Sequence, residues 1–311
     1  MSGKVLIAAP VHSILTRWLE ANGYECVVRE RITQAEAMQL VGDCVGVITS
    51  TRLQIDKELI DAAPQLRWIG RMGSGMEVID VPYATKKGIA CHASPEGNSN
   101  AVAEHALGML LSLNKRILKS NTEVQNGLWL RDENRGVELE GKTIGIIGFG
   151  HTGSSFARKL YGFDINVLVY DKYVRGTVPK YMQECPSLDQ IYEQADIVSF
   201  HVPLQHDTIH YLNAFFVEKM QKPFVLINTS RGRVVDTKAL YDGLLSGKIS
   251  GACLDVWEEE PLAAMSAEMR DYLNKTAALP QVIVTPHIAG YSVEALYKMS
   301  KALLDKIVTK Q

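Results

Sequence analysis

The stretch that most constrains the fold of this chain is TIGIIGFGHTGSSFARKL at residues 143–160. Ile144, Ile146 and Ile147 form a short apolar run that predicts a buried strand, and a helical segment is expected from Ser154 onward. A strand that passes through one glycine-rich turn into a helix is typical of a parallel sheet covered by helices. The stretch therefore predicts an α/β fold with a ligand site at the turn.

The turn has the pattern G-x-G-x-x-G at Gly148, Gly150 and Gly153, with His151 and Thr152 between the last two glycines. The first glycine permits the tight turn, the second lets the backbone approach a pyrophosphate, and the third lets helix and strand pack closely. The anion would lie at the N-terminal end of the helix. Glycine-rich turns are common, but a turn with this strand before it and this helix after it predicts a dinucleotide site.

An acidic residue follows at the spacing that such a site requires. The next predicted strand, residues 166–170, ends at Asp171, which lies about 20 residues after Gly153, as a ribose-binding carboxylate does. A carboxylate there hydrogen-bonds the 2′-hydroxyl of NAD. We therefore predict a site that prefers NAD to NADP. The alternative is a structural turn followed by an incidental aspartate.

The composition limits the class of protein. The chain has 311 residues, a net charge of −2 and no long run of one sign, so nothing favours nucleic acid or an anionic membrane as a partner. Its apolar runs are too short for a signal peptide or a membrane span. The five cysteines are scattered and never spaced C-x-x-C, which is typical of reduced thiols rather than of disulfides or a zinc site. We expect a cytoplasmic protein of two domains without a bound metal.

Strand-like and helix-like segments alternate through the first hundred residues. Strands are predicted at residues 4–9, 26–29, 45–48, 66–72 and 89–92, and helices at 34–41 and 56–63. A further helix is expected to be capped by Ser13 and ended by Gly23. This alternation predicts a second, smaller parallel sheet.

Two features of this first part could bind anions. Gly73, Ser74 and Gly75 follow the fourth predicted strand, at the sheet edge where α/β proteins bind ligands, although an ordinary glycine turn would look the same. Arg52 and Arg71 are expected at that edge and could hold a second anionic group. Either arginine alone could equally be a solvated surface residue.

The longest helical pattern, residues 98–118, is a candidate for the link between the domains and for a subunit contact. Glu104 and His105 lie near its start and resemble an acid–base pair. Adjacent residues diverge by about 100° around a helix, so the two side chains do not share a face. We therefore expect a buried structural role for both.

Polar residues follow the later predicted strands. His201 and Pro203 follow residues 197–200, Thr229, Ser230 and Arg231 follow 224–227, Asp255 follows 251–254, and His287 follows 282–284. The carboxyl ends of a doubly wound sheet converge on one crevice. Residues far apart in sequence, including Glu260 on the loop after Asp255, are therefore expected together beside the nucleotide.

Oxidation of a secondary alcohol by NAD needs a base, a cation for the substrate's carboxylate, and exclusion of water. His287 suits the first role because imidazole titrates near neutral pH, and Glu260 could orient it and stabilise its protonated form. Arg231 suits the second role through its rigid fork of donors. A lone histidine or arginine usually has a surface or core role, but three such groups at one edge of a nucleotide sheet favour a catalytic site.

The glycine turn with Asp171 and the runs NTSRGRVVD (228–236), DVWEEEP (255–261) and TPHIAG (285–290) occur in this order. Together they resemble the D-isomer-specific 2-hydroxyacid dehydrogenase family over essentially the whole chain. The resemblance implies two Rossmann-like, doubly wound parallel-sheet α/β domains with a deep cleft between them. Residues 1–97 plus 291–311 would form a flavodoxin-like substrate-binding domain, and residues 98–290 the NAD-binding Rossmann domain.

The resemblance also implies roles for individual residues. Arg231, Glu260 and His287 would be catalytic. The residues assigned to NAD are Gly148, Gly150, His151, Thr152, Gly153, Asp171, His201, Pro203, Thr208, Thr229, Ser230, Asp255 and Gly290. A homodimer is the family expectation, and the two domains are expected to close over the cofactor.

Within the family, the chain most resembles the D-3-phosphoglycerate dehydrogenases. Arg52, GRMGSG (70–75) and PEGNS (95–99) match their phosphate- and carboxylate-binding segments. Two positions depart from the pattern: Glu77-Val78 stands where those enzymes often carry Asp-Asn, and Ser50 stands where some carry a further arginine.

The leading hypothesis is the oxidation of D-3-phosphoglycerate to 3-phosphohydroxypyruvate in serine biosynthesis. The backbone at Ser74 and Gly75 would hold the carboxylate with Arg231, while Arg52 and Arg71 would hold the phosphate. Because the chain ends at Gln311, we expect neither the C-terminal regulatory domain of the longer members nor serine feedback through it.

Two alternatives remain open from the sequence. A reductase of glyoxylate, hydroxypyruvate or another 2-oxo acid would use the same chemistry. An NAD-sensing binding protein of the corepressor type would share the fold without the reaction, since fold alone does not determine function. The corepressors carry extended low-complexity tails, and this sequence has no low-complexity tract.

Overall fold

The computed structural model describes residues 3–309 and divides into two compact units. Among the described residues, the first unit comprises 3–101 and 290–309, and the second comprises 102–289. From the sequence we expected these boundaries at 97/98 and 290/291. The first boundary of the structure lies inside one continuous helix, Pro95–Asn114, where no local break marks the change.

The first unit contains a five-stranded parallel sheet. Its strands are β1 (Gly3–Ile7), β2 (Tyr24–Val28), β3 (Cys44–Thr49), β4 (Trp68–Arg71) and β5 (Ala90–Ala93), in the order β2-β1-β3-β4-β5. Its helices are α1 (Ser13–Ala21), α2 (Gln34–Leu40), α3 (Lys57–Asp61), α4 (Val81–Lys86) and the beginning of α5 (Pro95–Asn114). Leu6 and Ile7 are neighbours on β1 and join different hydrophobic clusters, so both faces of the sheet are covered.

The second unit contains a seven-stranded parallel sheet. Its strands are β6 (Thr143–Ile147), β7 (Asn166–Tyr170), β8 (Gln183–Glu184), β9 (Ile197–Phe200), β10 (Phe224–Asn228), β11 (Ile249–Leu254) and β12 (Val282–Val284). Besides the rest of α5, its helices are α6 (Ile117–Gln125), α7 (His151–Lys159), α8 (Asp189–Gln194), α9 (Ala214–Lys219), α10 (Thr237–Leu245) and α11 (Ala267–Ala277). Ile146 and Ile147 of β6 join different clusters, so this sheet is also buried on both faces.

The strand order of the second sheet places a ligand site at a defined edge. The order is β12-β11-β10-β9-β6-β7-β8, so β6 has β7 on one side and β9 on the other. The chain reverses its direction of progress through the sheet at β6, and α/β proteins bind ligands at the carboxyl edge of such a reversal. Two parallel-sheet α/β units confirm the predicted fold class.

The last helix, α12 (Val293–Thr309), completes the first unit. Leu303, Leu304 and Ile307 belong to one of the two hydrophobic clusters of that unit. Its packing against the start of α5 is close, because a Cβ at Gly97 would lie 2.5 Å from Met299 Cα.

Two local predictions were wrong. Ser13 is the first residue of α1 rather than its cap, because His12 is extended and its Nδ1 accepts the N–H of Ile14 at 3.2 Å. The helix predicted at residues 98–118 is broken, since α5 ends at Asn114 and Arg116 has a φ of 55° before α6 begins. No glycine or proline stands at this break, so composition gives no sign of it.

Within residues 3–309, no helix combines the length and the apolar character needed to cross a membrane. In the same range, no three histidine, cysteine or acidic side chains are grouped so that they could hold a metal ion. All five cysteines are free thiols.

Candidate active site

The glycine turn after β6 has the geometry that its sequence predicts. Gly148 has a φ of 95°, and a Cβ there would lie 2.5 Å from the carbonyl oxygen of His201. A Cβ at Gly153 would lie 2.0 Å from the carbonyl oxygen of Gly148. Both contacts are with backbone, so no side chain can be accommodated at either position, and the first turn of α7 packs directly on the strand.

Gly150 has a different environment. It is the N-cap of α7, no side chain caps that helix, and a Cβ at Gly150 would meet nothing within 4 Å. The N–H groups of the first turn, which includes His151 and Thr152, therefore have no capping side chain. This arrangement fits the pyrophosphate of a dinucleotide.

Asp171 follows β7 and is held by backbone donors. Its Oδ2 accepts the N–H of Phe149 at 2.6 Å, and its Oδ1 accepts those of Tyr173 at 2.8 Å and Val174 at 2.9 Å. Burial alone would raise the pKa of Asp171, but the N–H groups of Phe149, Val174 and Tyr173 hold it below the ordinary value of an aspartate. A carboxylate can accept about four hydrogen bonds, so the charged group retains capacity for a ribose hydroxyl.

His201 is partly buried and lies next to the glycine turn, since a Cβ at Gly153 would lie 3.3 Å from its Cβ. Its Nε2 is 2.8 Å from Ser199 Oγ, and its ring contacts that of Phe156 at a centroid distance of 5.3 Å. Burial lowers the pKa of His201 to about 3. A ring with so low a pKa is a weak base, which does not suit His201 to accept the substrate's proton.

The other residues predicted after β9 form a short loop. Pro203 is exposed, and its carbonyl oxygen accepts the hydroxyl of Thr208 at 2.7 Å. The same hydroxyl oxygen accepts the N–H of Gln205 at 2.7 Å. The Thr208 side chain thus closes the loop on itself.

The turn after β10 presents Arg231. Asn228 holds this turn, because its Oδ1 accepts the N–H and the hydroxyl of Ser230 and its Nδ2 donates to the carbonyl oxygen of Arg231. The hydroxyl of Thr229 is buried without a hydrogen-bond partner among residues 3–309, as expected for a group that a ligand would satisfy. The turn packs tightly on the next loop, since a Cβ at Gly232 would lie 1.7 Å from the carbonyl oxygen of Trp257.

His287 and Glu260 form the pair that the sequence predicts. The Nδ1 of His287 lies 2.6 Å from Glu260 Oε2, and Oε1 of the same carboxylate accepts the N–H of Trp257 at 2.7 Å. With its Nδ1 proton donated to the carboxylate, the neutral imidazole carries its lone pair on Nε2. About 44% of the His287 side chain is exposed, so Nε2 can exchange a proton with a bound molecule.

The three successive glutamates of the DVWEEEP run have separate roles. Glu258 accepts from the Thr237 hydroxyl and lies 2.6 Å from His210 Nε2, while Glu259 accepts the N–H of Ser266 at the start of α11. Of these three glutamates only Glu260, the residue chosen from the sequence, bonds the imidazole of His287.

Asp255 holds the loop that carries His287. It is 1% exposed, its Oδ1 accepts from the Thr285 hydroxyl and from the N–H of Ile288, and its Oδ2 accepts the N–H of Ala289 at 2.8 Å. The N–H of His287 donates to the carbonyl oxygen of Asp255 at 2.8 Å. The sequence assigned Asp255 to NAD, and in the structure both of its carboxylate oxygens bind this loop.

The predicted substrate residues lie in the first unit, as does Gly290, whose Cβ would lie 2.8 Å from Asn98 Nδ2. Arg52 and Ser74 are exposed. The N–H of Gly73 is not available to a ligand, because it donates to Ser94 Oγ at 2.9 Å. Ser74 and Gly75 have N–H groups without a partner in the described part of this unit, so they remain the candidates for an anion.

The structure changes the interpretation of Arg71. The sequence predicted that Arg71 would face a phosphate, but its side chain is buried, with 7% of the residue exposed. Its guanidinium donates to the carbonyl oxygen of Met72 and lies under Gly73, where a Cβ would come within 2.6 Å of Nη1. Arg71 thus supports the glycine turn from below.

Glu104 and His105 also differ from expectation, since neither is simply buried. The Glu104 side chain is 62% exposed and lies 3.0 Å from Lys159 Nζ. His105 Nε2 lies 3.0 Å from Thr285 Oγ1 and 3.6 Å from Asp255 Oδ1. The two side chains do not pair, as their divergence on the helix predicts, but His105 reaches the loop of His287. Nothing local in the sequence indicates this long-range contact.

Residues 107–289, more than half of the chain, match the family described as D-isomer specific 2-hydroxyacid dehydrogenase, NAD binding domain. The matched segment contains the glycine turn, Arg231, Glu260 and His287.

Several relatives extend this similarity. The chain is 32% identical over 306 residues to a D-3-phosphoglycerate dehydrogenase of Archaeoglobus fulgidus, and the match covers 98% of this chain but 56% of that protein, so the chain spans about half of its length. It is 39% identical over 275 residues to a glyoxylate reductase of Thermofilum pendens, covering 86% of this chain and 79% of the relative. A solved D-lactate dehydrogenase of Aquifex aeolicus, complexed with NAD and lactic acid, has a TM-score of 0.84 at 28% identity, covering 99% of this chain and 95% of that one. The chain belongs to the D-isomer specific 2-hydroxyacid dehydrogenase family.

Proposed function

We propose that this chain is an NAD-dependent oxidoreductase that acts on the CH–OH group of a D-2-hydroxy acid, with D-3-phosphoglycerate as the leading candidate. The observation that carries the proposal is the 2.6 Å contact between His287 Nδ1 and Glu260 Oε2. This contact leaves Nε2 of a partly exposed imidazole as a base at the carboxyl edge of a nucleotide sheet.

The chain's own residues would act as follows. His287 Nε2 takes the proton of the substrate's 2-hydroxyl, and Glu260 stabilises the imidazolium that forms. Arg231 binds the carboxylate of the substrate and polarises the reacting oxygen. Bound NAD would accept the hydride from C2 of the substrate. The Gly150 end of α7 and the Asp171 carboxylate would hold the pyrophosphate and the ribose.

The substrate class rests on the first unit. Arg52 is exposed and would bind the phosphate of 3-phosphoglycerate, while the N–H groups of Ser74 and Gly75 would bind a carboxylate. A place in serine biosynthesis follows from this assignment, and similarity to the Archaeoglobus fulgidus enzyme supports it.

The burial of Arg71 favours a second candidate function. Arg71 is only 7% exposed, so of the two cations expected for the phosphate only Arg52 is exposed at the surface. A reductase of glyoxylate or hydroxypyruvate needs no phosphate site, and similarity to the Thermofilum pendens reductase supports that reading.

The decisive experiment is to follow NADH oxidation with 3-phosphohydroxypyruvate, hydroxypyruvate and glyoxylate side by side. We expect the highest kcat/KM for the phosphorylated acid, and we expect Arg52→Gln to lower it selectively. Arg17→Gln, at an exposed arginine on α1, is the matched control for loss of a positive charge. A preference for glyoxylate or hydroxypyruvate that Arg52→Gln leaves unchanged would favour the second function. Tight NADH binding without turnover of any acid would instead indicate the NAD-sensing protein.

We also propose that the protein is a homodimer. The supporting observation is a set of exposed apolar side chains on α6 and the segment after it: Ile117, Leu118, Val124, Leu128, Trp129, Leu130 and Val137. Trp129 is the most exposed of them at 78%, and this concentration of exposed apolar side chains in one stretch of the chain supports an association surface there. Light scattering of the purified protein should give twice the chain mass, and a single chain mass at micromolar concentration would contradict the proposal.

We also propose a cytoplasmic location, because the five free cysteines fit a reducing compartment.

A further inference from the structure

A chain of side-chain hydrogen bonds runs from α5 to the loop of His287. His105 Nε2 lies 3.0 Å from Thr285 Oγ1, and Thr285 Oγ1 donates to Asp255 Oδ1. The His105 side chain is only 22% exposed and the Asp255 side chain 1%. The proposed function gives catalytic roles to Arg231, Glu260 and His287 and none to His105.

The direction of these hydrogen bonds follows from their chemistry. A threonine hydroxyl has one proton, and that of Thr285 is directed to Asp255. Thr285 Oγ1 can therefore only accept from His105, so His105 Nε2 must carry a proton. The order is His105 to Thr285 to Asp255, with the buried carboxylate as the final acceptor.

Asp255 connects the Thr285 hydroxyl to the backbone around His287 through its hydrogen bonds. Its carboxylate accepts the N–H groups of Ile288 and Ala289, and its carbonyl oxygen accepts the N–H of His287. His287 itself has a φ of 56°, a left-handed conformation that non-glycine residues adopt infrequently. Asp255 accepts the N–H of His287 and of the two residues that follow it, and so holds the backbone on this side of the ring.

We propose that His105 is a positioning residue, which holds the imidazole of His287 in its working orientation through Thr285 and Asp255. The inference rests on the proposed function, because it takes His287 to be the proton acceptor. Without the His105 donor, Thr285 keeps its hydrogen bond to Asp255 but loses the contact that fixes it against α5, so the loop of His287 loses one anchor to that helix.

The test compares variants that remove a hydrogen-bonding group with variants that retain it. His105→Leu and Thr285→Val remove one group each, whereas His105→Gln keeps an N–H donor and Thr285→Ser keeps the hydroxyl. We expect each removal to lower kcat about tenfold, which corresponds to about 1.4 kcal/mol in the activation barrier. KM for the oxo acid should change less than kcat, since the proton transfer is affected rather than binding. Activity should recover in His105→Gln and Thr285→Ser.

The double variant His105→Leu with Thr285→Val tests whether the two residues act as one chain. We expect it to be no slower than either single variant, because the second removal breaks a chain that is already broken. Gly108→Ala is the control on the same helix, as a Cβ there meets nothing within 4 Å. If His105→Leu fails to fold, judged by NADH binding, the Thr285 pair carries the test.

The outcomes separate this inference from the proposed function. A parental kcat in His105→Leu and Thr285→Val, combined with an inactive His287→Ala, would overturn the role of His105 and leave the function intact. Additive losses in the double variant would also overturn it. Full turnover in His287→Ala would overturn the proposed function and this inference with it.

Discussion

A single added methyl group at position 232 is expected to separate the loops that carry Arg231 and Glu260. A Cβ at Gly232 would lie 1.7 Å from the carbonyl oxygen of Trp257 and 2.6 Å from the N of Glu258. Carbon atoms pack about 3.5 Å or more from non-bonded neighbours, so the turn has to move by about 2 Å. Trp257 donates its N–H to Glu260 at 2.7 Å, and the movement therefore displaces Glu260 as well as Arg231.

The size of the effect follows from this displacement. A shift of about 1 Å in a catalytic group costs about 100-fold in rate, so we expect Gly232→Ala to lower kcat/KM by at least that factor. Overpacking of this kind destabilises a protein by about 1–3 kcal/mol, which leaves a typical domain folded at 25 °C. The variant should therefore bind NADH and show a normal circular dichroism spectrum while turning over slowly.

The assay is steady-state NADH oxidation with the best oxo acid, for the parent, Gly232→Ala and Gly162→Ala. Gly162 has no neighbour within 4 Å of its Cβ position, so it controls for the added methyl group. A kcat/KM for Gly232→Ala within about threefold of the control, when about 100-fold is expected, would refute the reasoning. The contact between the two loops would then not position Arg231 and Glu260.

Three further predictions use the same protein. Glu260→Gln should lower kcat by about 10- to 100-fold, because a hydrogen bond to a charged group contributes about 1.5–3 kcal/mol. An unchanged kcat would show that the charge of Glu260 takes no part in the reaction. Asp171→Ala should raise KM for NADH and reduce the preference for NADH over NADPH, as measured with both cofactors, and an unaltered ratio would contradict the ribose assignment. Burial holds the pKa of His201 near 3, against 6.5 for the free side chain. Below pH 6.5 the unfolded chain therefore binds a proton that the folded chain does not. The free energy of unfolding decreases as the pH is lowered from 6.5 to 3, by up to about 1.4 kcal/mol per pH unit. Urea titrations at pH 6.5 and 5 should show a smaller loss for His201→Gln, and equal losses would contradict this prediction.

The features that the sequence predicted depend on local pattern and topology. The glycine turn is visible because Gly148 and Gly153 leave no room for a side chain and therefore must be glycine. The alternation of apolar segments indicated two parallel sheets, and the convergence of strand ends explains why Glu260 could be assigned to His287 from residues far apart in sequence.

The features that the sequence missed depend on the course of individual loops. Arg71 follows a strand at the ligand edge, but its side chain turns under Gly73, and no pattern records that direction. His105 was set aside because it does not face Glu104, whereas its partner is Thr285, far along the chain. The left-handed φ of His287 likewise has no sign in the sequence, because no glycine stands at this position.

The return of α12 to the first unit determines the order in which the chain can fold during synthesis. Residues 102–289 are continuous, so this unit has its whole core once its last strand has left the ribosome. The other unit contains both ends of the chain, and one of its two clusters needs Leu303, Leu304 and Ile307. The part of the protein that is made first is therefore the part that is completed last, and until then the apolar side chains that α12 covers stay exposed.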